Sequence, residues 1–223
     1  MTRTTQQAQA RFFKDTEHHE LQILRDDGVY RHIRLKVPGT TCMHFDLITW
    51  PGYLCYTGDM GTYVFTRLSD MFEFFRKKRR ADGTFSIDFR YWAEKCESEG
   101  ARGDGVSEFD PDAFKREITR QRRRLFVGHG EHMDADERRE FWDSLEEVKN
   151  SADEGEHRTF SSVMDWSFLI KKRDRWGHDP KWIFLCTEDF PDCKAYTHRF
   201  LWCCHAMAWG IEQYDLSKAT VAA

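Results

Sequence analysis

Two stretches of this chain gather side chains able to hold a metal or move a proton. Near the C-terminus lie Cys193, His198, Cys203, Cys204 and His205. Thiolate and imidazole are zinc's preferred ligands, but zinc sites bring them in close pairs such as Cys-x-x-Cys, and none occurs here. Cys203 and Cys204 are neighbours on a helical pattern and point about 100° apart. Core cysteines with a flanking histidine fit that spacing better than a metal site does. The second stretch, His129-Gly130-Glu131-His132, offers two imidazoles and a carboxylate. Its spacing matches neither the helical His-Glu-x-x-His pattern nor a finger, so it reads as a loop between helices. No Ser, Cys or Thr stands in a Gly-x-Ser-x-Gly elbow, and there is no Walker glycine loop. Gly58-Asp59-Met60-Gly61 is a hairpin turn, with no helix after it to cradle a phosphate. The sequence thus predicts no catalytic residue, no metal and no cofactor.

Charge is distributed more tellingly. Between Glu131 and Glu156 eleven acidic residues face three basic ones, a net −8. From Lys115 to Arg124 six basic residues face one acid. Segregation of this kind makes a local field that can steer a charged partner. It is also what solvated helix faces with i, i+4 pairs look like. On the docking reading, Glu131, Asp134, Glu140, Asp143, Glu147 and Glu154 form an acidic surface. Lys77, Lys78, Arg79 and Arg80, with Arg122, Arg123 and Arg124, form a basic one.

These surfaces must be held by a scaffold, and the scaffold is organised around 44–67, HFDLITWPGYLCYTGDMGTYVFTR. Alternate side chains of a strand point to opposite faces, and Pro51-Gly52 and Gly58–Gly61 supply turn chemistry. Trp50 opposite Tyr53 sets Ile48 against Cys55 and Leu47 against Tyr56. Tyr56 opposite Tyr63 sets Leu54 against Phe65. The first of these strands is expected to begin at Cys42. The preceding strand, from Val29 to Val37, aligns with Leu35 opposite Phe45. One face then carries Ile33, Leu35, Val37, Met43, Phe45, Leu47, Leu54, Tyr56, Tyr63 and Phe65. The other, with Arg34, Lys36, His44 and Asp46, is expected to face solvent, Arg34 beside Asp46. Leu21 to Arg25, returning through Asp26-Asp27-Gly28, adds a further strand.

The period then turns helical. Leu68, Met71, Phe72 and Phe75 share a face, with Ser69 or Asp70 as cap and Lys77–Arg80 in the last turn. A helix is expected from Ile87 to Glu97. Asp110-Pro111 starts another, which ends in Arg120–Arg124. Asp134 and Glu137 make a capping box for a helix whose inner face is Phe141, Leu145 and Val148. Residues 153–170 read as helix, 173–180 as loop and Trp182–Cys186 as a short buried strand. The last helix has Phe200, Cys204, Met207, Ile211 and Tyr214 on one stripe and Trp202 and Trp209 on a second, which implies burial on more than one side. The fold class is α+β: an N-terminal antiparallel meander of four to five strands with α-helices on one face. The expected layout is a single domain over 1–223, with sheet at 20–67, a mainly helical region at 68–170, and a strand and buried helix at 181–215.

At 223 residues with 40% hydrophobic and 32% charged side chains, the chain can bury a core, which excludes global disorder. Eighteen Phe and eight Trp point to a core or an interface of flat side chains. A net charge of −4 argues against a generally basic nucleic-acid binder. No apolar run approaches the roughly 20 residues of a membrane span, and the N-terminus has no signal-peptide core. Seven cysteines fit free thiols in a reducing cytoplasm.

The run FDLITWPGYLCYTGDMGTYVFTRLSDMFEFFR, with YWAEK, DEGEH and FLWCCHAMAWGIEQYD, resembles an uncharacterised protein family encoded in tailed-phage and prophage genomes. The resemblance carries no catalytic residues. It implies a cytoplasmic accessory protein made in a bacterial host during infection. The leading expectation is a non-enzymatic binder that inhibits or redirects a host protein or protein–nucleic-acid complex, in the manner of an anti-defence or anti-CRISPR protein. The alternative is a nucleic-acid-binding or -processing protein of phage replication or recombination, using the basic runs and the polar sheet face. A metal-dependent hydrolase using His129, Glu131 and His132, or His44 and Asp46, comes third.

Overall fold

The alternating residues of 20–67 close into a sheet because the strand positions Ile33, Leu35, Phe45, Leu47, Leu54, Tyr56, Tyr63 and Phe65 put apolar side chains on one face. The computed structural model describes residues 3–100, 105–171, 180–185 and 190–222. It divides into two compact units, Met1–Ser107 with Tyr196–Ala223, and Glu108–Ala195, the second inserted in the sequence of the first.

In the first unit six antiparallel strands run in sequence order: β1 (Glu20–Asp27), β2 (Tyr30–Lys36), β3 (Phe45–Trp50), β4 (Tyr53–Gly58), β5 (Gly61–Thr66) and β6 (Cys96–Glu99). The expected pairings Leu35–Phe45, Ile33–Leu47, Leu47–Tyr56, Trp50–Tyr53, Tyr56–Tyr63 and Leu54–Phe65 all occur. Gly52, at a φ of 87°, makes the tight Pro-Gly turn. The third strand begins at Phe45 rather than Cys42. Met43 takes a left-handed φ of 56° and gives its N–H to the Asp59 carboxylate, so it leaves the ladder. The sheet also has one strand more than expected. Only Phe89–Ala93 (α3) of 87–97 is helical, capped by Asp88, and the chain then joins β5 through Cys96 opposite Phe65.

Asp70 caps the short helix α2 (Met71–Phe75) by accepting the Phe72 N–H. The basic run lies beyond this helix rather than in its last turn, since Arg76 is already extended. Helix α7 (His198–Ala222) lies against the apolar face of the sheet, and α1 (Arg3–Asp15) packs on α7. A Cβ at Gly210 would come within 3.1 Å of Leu47 and 3.3 Å of Leu35, so any larger residue would require these side chains to give way by a few tenths of an ångström. Trp202 is edge-on to both Phe12 of α1 (5.0 Å) and Phe45 of the sheet (5.7 Å). That is the two-sided burial its two stripes require.

The second unit is built on α4 (Pro111–His129), α5 (Ala135–Asn150) and α6 (Glu156–Asp165). Short strands β7 (Ser107–Phe109) and β10 (Lys194–Tyr196) carry the chain in and out of it. Asp110 and Pro111 start α4, and the Asp134–Glu137 capping box starts α5. Phe114, Ile118, Phe141, Leu145, Val148 and Val163 form its core. Three expectations are corrected here. Helix α4 continues past Arg124 to His129, so His129–His132 is a helix end and a 3-10 turn, not a loop. The helix expected over 153–170 stops at Asp165, and Ser167–Ile170 is strand β8, where burial of Phe168 and Ile170 shows the two-residue period. β8 pairs with β9 (Lys181–Phe184), which is not a buried strand: only Ile183 points inward, while Trp182 and Phe184 are 54% and 61% exposed. Cys186 and most of the 173–180 loop lie outside the described residues.

His205 on α7 is fully buried between Phe12 and Phe89, and neither ring nitrogen has a hydrogen-bond partner. Burial depresses its pKa from 6.5 to about 4. The folded state therefore takes up this proton later than the unfolded chain. The stability associated with neutral His205 is complete above pH 6.5 and is lost as pH falls toward 4. At pH 5 the deficit is about 2 kcal/mol. We expect His205→Leu to flatten this part of the stability–pH curve, as urea melts at pH 5 and pH 7.5 would show. An unchanged slope in the variant would refute the assignment.

Candidate functional site

The sheet face opposite α7 was expected to be solvent-exposed around Arg34, Lys36, His44 and Asp46. Arg34, Lys36 and His44 are half-buried, and Asp46 is only 5% exposed. The cause is local. Arg34 donates Nε and Nη2 to the two Asp46 oxygens at 2.7 and 2.8 Å, and His32 Nε2 sits 2.8 Å from Oδ2. Neighbouring strands thus cover the carboxylate with its own partners. Burial pushes the Asp46 pKa up, but the hydrogen bonds from Arg34 and His32 outweigh it and leave the group below its ordinary value. His44 lies 3.2 Å from Asp59 and 2.8 Å from the Thr41 carbonyl. Cys55 shares this face, and burial and then the Asp46 charge raise its pKa, which opposes thiolate chemistry. Toward the turn, Trp50 and Tyr53 stack at 5.4 Å, both exposed.

The basic run of the first unit is largely absorbed by its own scaffold. Arg79 grips Glu212 of α7 with bonds of 2.7 and 2.6 Å and covers the Phe85 ring at 4.6 Å. Lys77 lies over Phe74 and Trp92, Arg80 donates to Ser86, and Lys78 is exposed.

In the second unit the sequence's charge contrast is partly internal. Lys115 of α4 reaches Asp153 at 2.7 Å. Arg122 donates to Glu146 of α5 at 2.7 Å with its guanidinium 4.3 Å over the Trp142 ring. Lys149 also engages Glu146. Arg123 and Arg124 are exposed. Glu137 is buried, accepting the N–H groups of Asp134 and Lys171. The six acidic candidates all remain at the surface. Glu131 pairs loosely with His132, Asp134 caps α5, Glu140 lies 3.7 Å from Lys171, and Asp143 and Glu147 are exposed along α5. Glu154 stands 3.4 Å from Arg158.

Glu147 and Glu154 line an open groove of about 480 Å³ between α5 and α6, with Asp165, Arg158, Ser144 and Trp166. Asp165, Arg158 and the outward α6 residues Phe160 and Met164 were not singled out in the sequence. The available signal was the i, i+4 pair Phe160/Met164, about 100° round the helix from Thr159 and Val163. Among the described residues no group of three or more His, Cys, Asp or Glu is placed to hold a metal ion. Cys193 belongs to the second unit; Cys203, Cys204 and His205 are buried in the first. No helix among the described residues is long and apolar enough to cross a membrane. No protein-family model, curated protein or solved structure matches this chain.

Removing the Asp46 charge leaves Arg34 and His32 without their shared acceptor. Asp46→Asn is expected to cost roughly 1–3 kcal/mol near neutral pH. The wild-type advantage is present above the ordinary carboxylate value of 3.8 and disappears as pH falls through the lower folded value. Denaturant melts of both proteins at pH 7 and pH 3 test this, since equal stabilities at pH 7 contradict it.

Proposed function

We propose that this protein acts without catalysis, by binding another protein through the acidic surface of its second unit. The observation that carries this reading is the asymmetry of the charged helices. Lys115 and Arg122 are neutralised or stacked within the unit and Arg116, Arg120, Arg123 and Arg124 stay exposed, while Glu131, Asp134, Glu140, Asp143, Glu147 and Glu154 all reach solvent on a stretch, 131–156, whose net charge is −8. A surface of that sign steers a basic partner and opposes nucleic acid. The resemblance to phage-encoded proteins supplies the setting: an accessory protein that inhibits or redirects a host protein or protein–nucleic-acid complex in the bacterial cytoplasm, anti-CRISPR action being one form of this. The fold reading that goes with it is an α+β first unit with helices on one face of its antiparallel sheet, and a separate second unit whose helices carry the acidic residues.

The test starts from capture of the tagged protein in host cells, identification of what it holds, and kinetics with that partner. Replacing Glu140, Asp143, Glu147 and Glu154 with Gln or Asn is expected to change stability by about 0.5 kcal/mol or less, because all four are exposed. Association should slow at low salt and converge on the wild-type rate at high salt. The nucleic-acid reading replaces ours if Arg123 and Arg124 control binding instead and the ligand is DNA or RNA with a steep salt slope.

A further inference from the structure

Helix α6 presents an apolar face to solvent. Its inner side is fixed by Thr159, whose hydroxyl donates to the Ser151 and Gly155 carbonyls, and by buried Val163. On the flank about 100° round the helix, Phe160 and Met164 stand one helical turn apart, 37% and 71% exposed, with one side of the Phe160 ring against Phe109 at 6.3 Å. With Glu156, His157, Ser161 and Asp165 they line a shallow depression of about 560 Å³. Asp165 is also a wall of the groove between α5 and α6, so the apolar depression and the polar groove adjoin at that residue. Among the described residues that line the groove, Glu147, Glu154 and Asp165 outnumber the one cation, Arg158. Trp166 closes the groove, with its indole N–H held by Ser144 at 3.1 Å.

We propose that this composite surface is the docking site for a basic amphipathic helical segment of a partner protein. Its apolar side chains would cover Phe160 and Met164, and a Lys or Arg would enter the groove toward Glu147 and Asp165. This rests on the protein-binding reading above and narrows it to one place and one chemistry. Charge complementarity selects the occupant. A phosphate backbone or an acidic peptide would meet three carboxylates, and a purely apolar segment would leave the groove unused. A helix in an apolar groove, anchored by residues one turn apart, is an established mode of recognition.

The probe is a short amphipathic helical peptide of Leu, Ala and Arg, titrated into the full-length protein alongside a counterpart with Glu at every Arg position. Binding is read from the Trp166 indole N–H and Met164 methyl resonances and from anisotropy of labelled peptide. The Arg peptide should shift both resonances and the Glu peptide neither. Glu147→Gln and Asp165→Asn should each weaken binding about tenfold. Met164→Glu should abolish it, and Arg158→Ala should strengthen it. All four positions are exposed, so thermal melts should match wild type and exclude misfolding as the cause. The proposal is overturned if the two peptides bind equally, if the shifts map elsewhere, or if Met164→Glu and Asp165→Asn leave affinity unchanged. If these variants still hold the captured partner while replacements at Glu131, Asp134, Glu140 and Asp143 release it, the docking site is wrong and the wider binding reading stands.

Discussion

The first unit depends on burying one helix from two sides at once. Helix α7 sits close enough to the sheet for Leu35, Phe45 and Leu47 to reach its backbone at Gly210, where a side chain would crowd all three. It must also offer Trp202 and Trp209 to Phe12 of α1. A helix apolar around most of its circumference has no preferred rotation from hydrophobicity alone, so polar contacts must set it. Arg76 grips Asp215, Arg79 grips Glu212, and the Tyr214 hydroxyl donates to Asp26 of β1. Arg31 completes the set, bound through both nitrogens to Asp70 and lying 4.8 Å over the Phe72 ring. Each of these pairs is part-exposed and individually modest. Together they fix which stripe faces the sheet.

That constraint explains where the positive charge of the first unit goes. A run such as Lys77–Arg80 suggests a nucleic-acid patch when only sequence is considered. Here Arg79 is spent on α7, with its guanidinium over an aromatic ring and its charge matched by Glu212. The same logic holds in the second unit, where Arg122 lies between Trp142 and Glu146. Arginine suits both positions, because its planar group can stack and hydrogen-bond at once.

Side-chain parity made the sheet legible: from Ile33 to Phe65 the inward strand residues other than Thr49 are apolar and each turn carries its own Gly or Pro signal, so register followed. Helix starts were legible where a carboxylate cap preceded them, at Asp70, Asp110 and Asp134. Cys96–Glu99 was not, since a four-residue edge strand with a burial pattern of mostly exposed residues shows no alternation. Ser167–Ile170 was missed because a short apolar run following a helix fits either period. Of the candidate site, the exposure of the acidic residues could be inferred from helix faces, because Phe141, Leu145 and Val148 had fixed the inner one. Which cation meets which anion could not be, since Arg122 with Glu146 and Lys115 with Asp153 are set by how α4 packs against its neighbours. Burial of Asp46 was likewise hidden: the Arg34 partner directly opposite followed from register, but coverage by His32, the diagonal neighbour on the same strand, did not.

The two polar surfaces therefore differ in what a partner would have to displace. On the sheet face the carboxylates already have close partners: Asp46 holds Arg34 and His32, and Asp59 lies beside His44. A ligand recruiting Arg34 there would strand a nearly buried carboxylate, and an uncompensated buried charge is costly. Along α5 and α6 the pairs are looser. Glu140 is 3.7 Å from Lys171 and Glu154 is 3.4 Å from Arg158, both among largely exposed side chains. Such pairs exchange partners at little cost, because solvent already screens them. An incoming Lys or Arg would gain a carboxylate without leaving a buried charge behind, and apolar surface beside it at Phe160 and Met164 supplies the non-directional part of the attraction. This difference in displacement cost, more than the count of charges, favours the second unit for the docking we propose.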